Sequence, residues 1–364
     1  MLTLFIPIKV FSEWKSNEVV IKNKWPKYGK LKLEIVEEDL IRESDIDENY
    51  MYKYVRDIAV DSNNNIYLLD SHLKNIFKYD YNGKFIHAVG NFGQGPGEYM
   101  SPRGIFVDDR NNLYVNDNGR AIIKFSSNGL FKSRIKLCLH MTSNNFFVDD
   151  NGNIYGFFRE ISDTEIRKVF IKLDQKGQAL KRIKEYVETN LNVKRVGSGA
   201  IIGGLSHEYS ADIFFSSILN KQHCIGENLK YELEVYDLQG KLVLSYDKAE
   251  NPQSISGDIA RLKRLIGKDY VNSMNFPPHK PFFKDLLCDE KGRIYVVRVK
   301  SYFDRNKNEI VDIFNKNGQY LYKTTFPYFP RCIKNGYIIA IDRDEEDRVI
   351  IKKLIIKNYD QILY

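Results

Sequence analysis

IFVDDRNNLYVND, residues 105–117, opens as an apolar strand, stops at Asp108, turns through polar residues and starts a second strand at Leu113-Tyr114. The same phrase returns as IAVDSNNNIYLLD (58–70), FFVDDNGNIYGFF (146–158) and LLCDEKGRIYVVR (286–298). In each copy an aspartate (Asp61, Asp108, Asp149, Asp289) stands six residues before a tyrosine (Tyr67, Tyr114, Tyr155, Tyr295). A fixed offset implies a fixed turn. Asp starts it, Asn or Gly supplies the positive φ, and the β-prone residues that follow re-enter a sheet.

A second hairpin signal follows each copy, at Asn82-Gly83, Asn128-Gly129, Lys176-Gly177, Gln239-Gly240 and Asn317-Gly318. These pairs sit inside alternating stretches such as NIFKYDYNGKFIHAVG (75–90) and EIVDIFNKNGQYLYKTTF (309–326). Two successive hairpins make a four-stranded meander, and recurrence at roughly forty residues marks it as a propeller blade. The long gap between Tyr155 and Tyr295 predicts a divergent blade over 196–247, with its inner strand near GAIIGG (199–204), and then an insertion at 248–284. A weaker copy, PRCIKNGYIIAID (330–342), brings the total to six.

That last blade runs out after RVIIKKLIIK (348–357), one strand short. An open edge would leave a ladder of unpaired backbone groups. LKLEIVEE (31–38) alternates, and the reading pairs it beside 348–357 to close the ring. The expected architecture is therefore all-β: a single six-bladed propeller of four-stranded antiparallel blades over 31–364. Residues 1–30 are left as an N-terminal extension or signal-like segment.

Composition agrees with strands. Of the 364 residues 13% are aromatic, with 24 Tyr and 22 Phe. The net charge of +7 comes from 55 basic and 48 acidic residues whose signs interleave, so nucleic-acid binding is not forced. Cys138, Cys224, Cys288 and Cys332 lie far apart with no CxxC spacing, and read as small buried apolar residues. The histidines form no HxH or HExxH pair, no GxSxG elbow is present, and neither a metal nor a cofactor is expected. His223 beside Cys224 reads as structural, since neighbours on a strand point to opposite faces. LTLFIPIKVF (2–11) is too short to span a bilayer and lacks a basic n-region; it reads equally as a signal-peptide remnant or a strand.

NFGQGPGEYMSPRGIFVDDRNNLYVND (91–117) resembles the NHL-repeat phrase, in which a Gly-Pro-Gly-Glu-aromatic loop leads through Pro into an inner strand. The chain is similar to the NHL-like six-bladed propellers of Bacteroidetes envelope proteins, which implies a periplasmic or extracellular location. No lipobox cysteine supports a lipid anchor. Enzymes among six-bladed relatives gather acids, Asn or His at the channel mouth, and some NHL propellers bind RNA. The GQGPGEY loop is not a phosphate cradle, because Pro102 and a strand follow it rather than a helix.

Loop lengths separate the two faces of the ring. The Asp turns and the Gly hairpins are short, whereas extensions near 157–168, 216–229 and 299–308 and the link 248–284 vary. Variable loops on a rigid scaffold mark a binding face. Within the link, SGDIARLKRLIG (256–267) has helical apolar spacing and reads as a short amphipathic helix capping that face, either a lid or a cover for part of the propeller's own apolar edge.

Eleven residues before each repeat Tyr stand Arg56, Arg103, Asn144 and Lys284, with Arg331 close to the same place in blade six. These positions open the innermost strands, so four cations are expected around the channel mouth, either attracting an anion or pairing with Asp57, Glu98 or Asp285. Gln94, Glu98 and Tyr99 are expected in a loop beside that site. The function expected is recognition of a peptide, glycan or protein, including anionic ones, without catalysis. A hydrolase or lyase at the channel mouth and an RNA-binding propeller are the alternatives, nucleic acid being the less expected partner.

Overall fold

The computed structural model describes residues 20–42, 54–162, 165–188, 192–196, 199–203, 207–306 and 308–364. The segment 2–11 lies outside the described residues. Six four-stranded antiparallel meanders stand in a ring: blade one spans 55–89, two 102–136, three 141–187, four 213–248, five 283–326 and six 330–356. The chain is a six-bladed β-propeller.

The repeated aspartate explains the six-residue offset. Asp108 accepts the N–H groups of Arg110 and Asn112 and the side-chain amide of Asn112. It also accepts the Tyr114 hydroxyl at 3.1 Å. Asp149 does the same for Asn151, Asn153 and Tyr155, and Asp289 for Lys291, Arg293 and Tyr295. The carboxylate thus satisfies turn donors that would otherwise be buried, and the tyrosine pins the next strand to it. Three of the outer hairpins repeat the device with an aspartate, as at Asp80, which accepts from Asn82 and Lys84, while Ser126 and Asn315 take its place in blades two and five.

Between blades, apolar side chains fill six wedge-shaped seams. One example is Tyr67, Leu69, Ile105 and Val115 between blades one and two, and another is Tyr295, Val297, Ile333 and Ile338 between five and six. Each seam buries surface that a lone blade would expose, so stability is shared among neighbours.

The ring closes as expected, four residues later than the alternation suggested. Ile35–Arg42 pairs antiparallel with Val349–Ile356 (Ile35 opposite Ile356, Ile41 opposite Ile351). Leu31 and Leu33 instead pack into the seam between blades five and six. Lys352 binds Glu37 at 2.9 Å and also Asp39, while Lys353 binds Glu38 at 2.9 Å. Before that strand the chain belts two other edges. Val20–Asn23 runs parallel to Leu242–Lys248 as a fifth strand of blade four, and Lys27, Tyr28 and Leu31 donate to the carbonyls of Tyr320, Leu321 and Lys323 in blade five.

Two expectations are corrected. The inner strand of blade four is Ile213–Ile218; GAIIGG instead supplies Gly199–Gly203, which pairs only with Asn192–Val196 in a separate hairpin. Cys138 is exposed rather than buried, whereas Cys224 is buried and all four cysteines are free.

Candidate functional site

The cations named from the sequence sit at a common structural irregularity. Arg56 lies between the pairs Val55/Asp70 and Asp57/Leu69, and Arg103 between Pro102/Asp117 and Gly104/Asn116. Lys284 lies between Phe283/Arg298 and Asp285/Val297, and Arg331 between Pro330/Ala340 and Cys332/Ile339. Each is the unpaired residue of a β-bulge where the inner strand begins. A bulge bends the strand and re-aims one side chain, here at the mouth end of the channel. Blade three makes a wider skip, from Met141/Phe158 to Phe146/Gly156, that contains Asn144. Blade four has none: Ile213–Ile218 pairs in unbroken register, preceded by Asp212.

These residues form two groups. In the first, Arg56 Nε donates to the Arg103 carbonyl at 3.0 Å and its terminal nitrogen to Asn144 Oδ1 at 3.0 Å, while Arg103 donates to Asn118 Oδ1 at 2.8 Å. These hydrogen-bond partners are neutral groups. Burial, together with the charge of Arg56, holds the Arg103 guanidinium below its ordinary range. Burial, aided by Arg103, Arg120 and Arg159, likewise lowers His140. Buried Asp57 acts on this group, feeling the charge of Arg56.

In the second group Lys284 and Arg331 flank the ring of Phe329, at 5.0 and 5.5 Å from its centroid. Lys284 is paired with Glu309 at 3.1 Å. Two aspartates underlie them. Asp57 accepts the N–H of Ile58 (2.9 Å) and of Ile105 (2.8 Å), tying the inner strands of blades one and two. Burial pushes its carboxyl up to about 6, against Arg331 and Arg56. Asp285 accepts the Leu286 N–H, and burial raises it to about 6, with Asp57 adding to the rise and Arg331 and Lys284 opposing it.

Above this floor lies a cavity of about 1030 Å³, reached by Lys284, Arg331 and Phe329 on one side and by a helical cap on the other. The cap is α1 (Ser256–Ile266) and α2 (Lys268–Asn272), so the helix expected over 256–267 is present. Asp258 fixes its start by accepting the Tyr209 hydroxyl and Ser301 Oγ (2.8 Å), and Arg261 stacks on Phe303 at 4.0 Å. His207 holds the far end through the Asn275 carbonyl at 3.1 Å. Between these anchors the cap turns Leu262, Ile266, Tyr270 and Met274 to the cavity.

The loop expected beside the site does not line that cavity. Tyr99 is fully buried in the seam between blades one and two, its hydroxyl donating to the Val89 carbonyl at 2.8 Å, so its role is in the core. Glu98 accepts the Gly95 N–H at 2.7 Å and closes its own loop, and Gln94 is exposed. Sequence reading missed the apolar wall. Its only signal was the helical spacing of 256–267, which predicted a capping helix but not that Leu262, Ile266, Tyr270 and Met274 would line a cavity. Among the described residues no three His, Cys, Asp or Glu side chains gather as a metal site, and no helix is long and apolar enough to cross a membrane.

The fold is a six-bladed propeller whose inner strands open at the bulged Arg56, Arg103, Lys284 and Arg331, with a helical cap lining the adjoining cavity. The chain belongs to the family described as a domain of unknown function, DUF4934, which matches residues 47–276. No curated protein matches it. Among solved structures it is similar to a Bacteroides fragilis protein described as exported, with 15% identity, coverage of 94% of this chain and 100% of that one, and a TM-score of 0.56. It is also similar to a DUF4221 family member of Bacteroides vulgatus (13% identity, 90% and 98% covered, TM-score 0.49) and to virginiamycin B lyase of Staphylococcus aureus (10%, 89% and 100%, 0.43). At such identities the first likeness shows the fold alone, and the other two scores are too low to argue from.

Proposed function

We propose that this chain is a non-catalytic binding propeller that recognises an anionic group of a peptide, glycan or protein ligand at its channel mouth. The observation that carries this reading is the juxtaposition of Arg56 and Arg103 without a salt bridge to either among the described residues. Two guanidinium groups held together repel, and a carboxylate or phosphate oxygen that bridges them relieves the repulsion. Arg331, which also lacks a salt bridge among the described residues, extends the same field toward the cavity. On this reading the chain works as an NHL-type propeller at the cell envelope, in line with the resemblance of its repeat phrase.

Calorimetric titration of the purified protein with citrate, inorganic phosphate and galacturonate at low salt tests the reading. At least one should bind, weaken as salt rises, and lose tenfold or more in affinity in the Arg56→Ala, Arg103→Ala double variant. Binding that is unchanged in that variant, or absent for all three anions, would sink the proposal.

A further inference from the structure

The cavity has walls of opposite character. One carries Lys284 and Arg331, both packed over the ring of Phe329. The facing wall is the cap, where Ile266 is 48% and Tyr270 53% exposed, and Tyr54, at 58%, stands at the rim. No residue of α1 is buried and α2 buries Val271, so Leu262, Ile266, Tyr270 and Met274, the residues the cap turns to the cavity, keep exposed surface. Asp212 at the cavity is already bound by Lys168 and Lys284 is paired with Glu309, whereas Arg331 has no salt bridge among the described residues. Exposed apolar residues beside water cost free energy that a matching apolar body recovers.

We infer that the ligand of this mouth is an amphiphilic anion, whose acidic head meets Arg331 and Lys284 and whose apolar body lies against Ile266 and Tyr270. The inference rests on the anion-binding reading above and adds the chemistry of the rest of the ligand. Charge complementarity sets the orientation: a reversed molecule would put its head on Ile266 and its chain on a guanidinium. The volume accommodates a drug-sized body rather than a lone inorganic anion.

A carboxylate series from acetate to decanoate, titrated into the unaltered protein at neutral pH, tests this without any variant. Affinity should climb with chain length, by tenfold or more from acetate to decanoate, and decyltrimethylammonium should bind at least tenfold more weakly than decanoate. Ile266→Asp, at an exposed position, should cost decanoate at least tenfold. Decanoate binding no better than acetate, while acetate or phosphate binding is still lost in Arg331→Glu, would overturn the amphiphile and leave the anion reading standing. Equal binding of decanoate and decyltrimethylammonium would overturn it too, and failure of every anion would remove both. Dimerisation abolished by Ile266→Asp without decanoate binding would assign the apolar wall to a second copy and likewise overturn the proposal.

Discussion

His223 should be a net liability to this fold, and replacing it by phenylalanine should stabilise the protein, most of all in acid. The imidazole is completely buried and ringed by aromatic side chains, with centroids of Tyr155 at 4.6 Å, Phe147 at 5.1 Å and Phe170 at 5.3 Å. Neither ring nitrogen finds a hydrogen-bond partner among the described residues. A buried polar group left unsatisfied costs about 1–3 kcal/mol, which phenylalanine avoids while keeping the ring. Burial also lowers the imidazole to about 3.

The sign of the pH effect follows. Unfolded, His223 takes up a proton near pH 6.5; folded, it does so only near 3. Between these values the unfolded state binds more protons, so stability is full above 6.5 and is lost as pH falls, by about 2 kcal/mol between pH 6.5 and 5. Asp57 and Asp285, raised to about 6, act oppositely, since the folded state protonates first and acid relieves their strain. Comparing His223→Phe with the parent cancels that contribution. Urea midpoints followed by circular dichroism at pH 7.5 and pH 5 should show the variant ahead by about 1–3 kcal/mol, the lead growing by about 2 kcal/mol at the lower pH. A lead that is the same at both pH values, or a variant weaker at both, would refute the reasoning.

The other predictions concern the seams and the mouth. Asp312 lies buried between blades four and five and accepts from Lys248 (2.8 Å), Arg298 (2.9 Å) and the hydroxyls of Tyr231 and Tyr320. Although burial opposes it, Arg298 and Lys248 hold its carboxyl below the usual range. Asp312→Ala should cost about 3–5 kcal/mol in urea unfolding, at the low end because Glu250 still meets both cations. At Gly104 an added Cβ would overlap the carbonyl oxygen of Asn144 in the next blade, so Gly104→Ala should cost about 1–3 kcal/mol and weaken anion binding together with stability. Sulfate keeps its charge from pH 7 to 5, whereas Asp57 and Asp285 lose theirs over that range. Its affinity at the mouth should rise roughly threefold or more as pH falls, measured calorimetrically at constant ionic strength.

Ring closure and blade number were legible because their cause is local. An aspartate that must satisfy its own turn leaves a mark at a set distance from a tyrosine, and an unpaired edge demands a strand. Blade four hid its inner hairpin because its turn is made differently: Leu219 and Asn220 both take positive φ, at 51° and 56°. That pattern suits a two-residue primed turn, yet leucine is a residue no sequence rule places there. With the aspartate signature gone, the glycine-rich GAIIGG looked the better strand. The mouth was half legible. Stepping back from each tyrosine finds the cations, because the strand has constant length, but neither the bulges that free them nor the ring of Phe329 between two of them leaves a pattern in spacing.

The asymmetry of the site follows from where the repeat breaks. A bulge in blades one, two, five and six sends a cation toward the axis, and identical blades all round would give a symmetric positive ring suited to a compact anion. Blade four lacks the bulge, offers Asp212 in place of a cation, and is followed directly by the chain that forms the cap. The sector with the weakest positive field is therefore the one from which the apolar wall arises. A ligand entering between the cap and Phe329 meets a gradient from apolar to cationic that no symmetric propeller mouth supplies. Moving charge into the blade-four sector, as in Asp212→Lys, should flatten that gradient and reduce the preference for decanoate over acetate. An increase in that preference would mean that the cap is only a cover for the ring and not part of its binding surface.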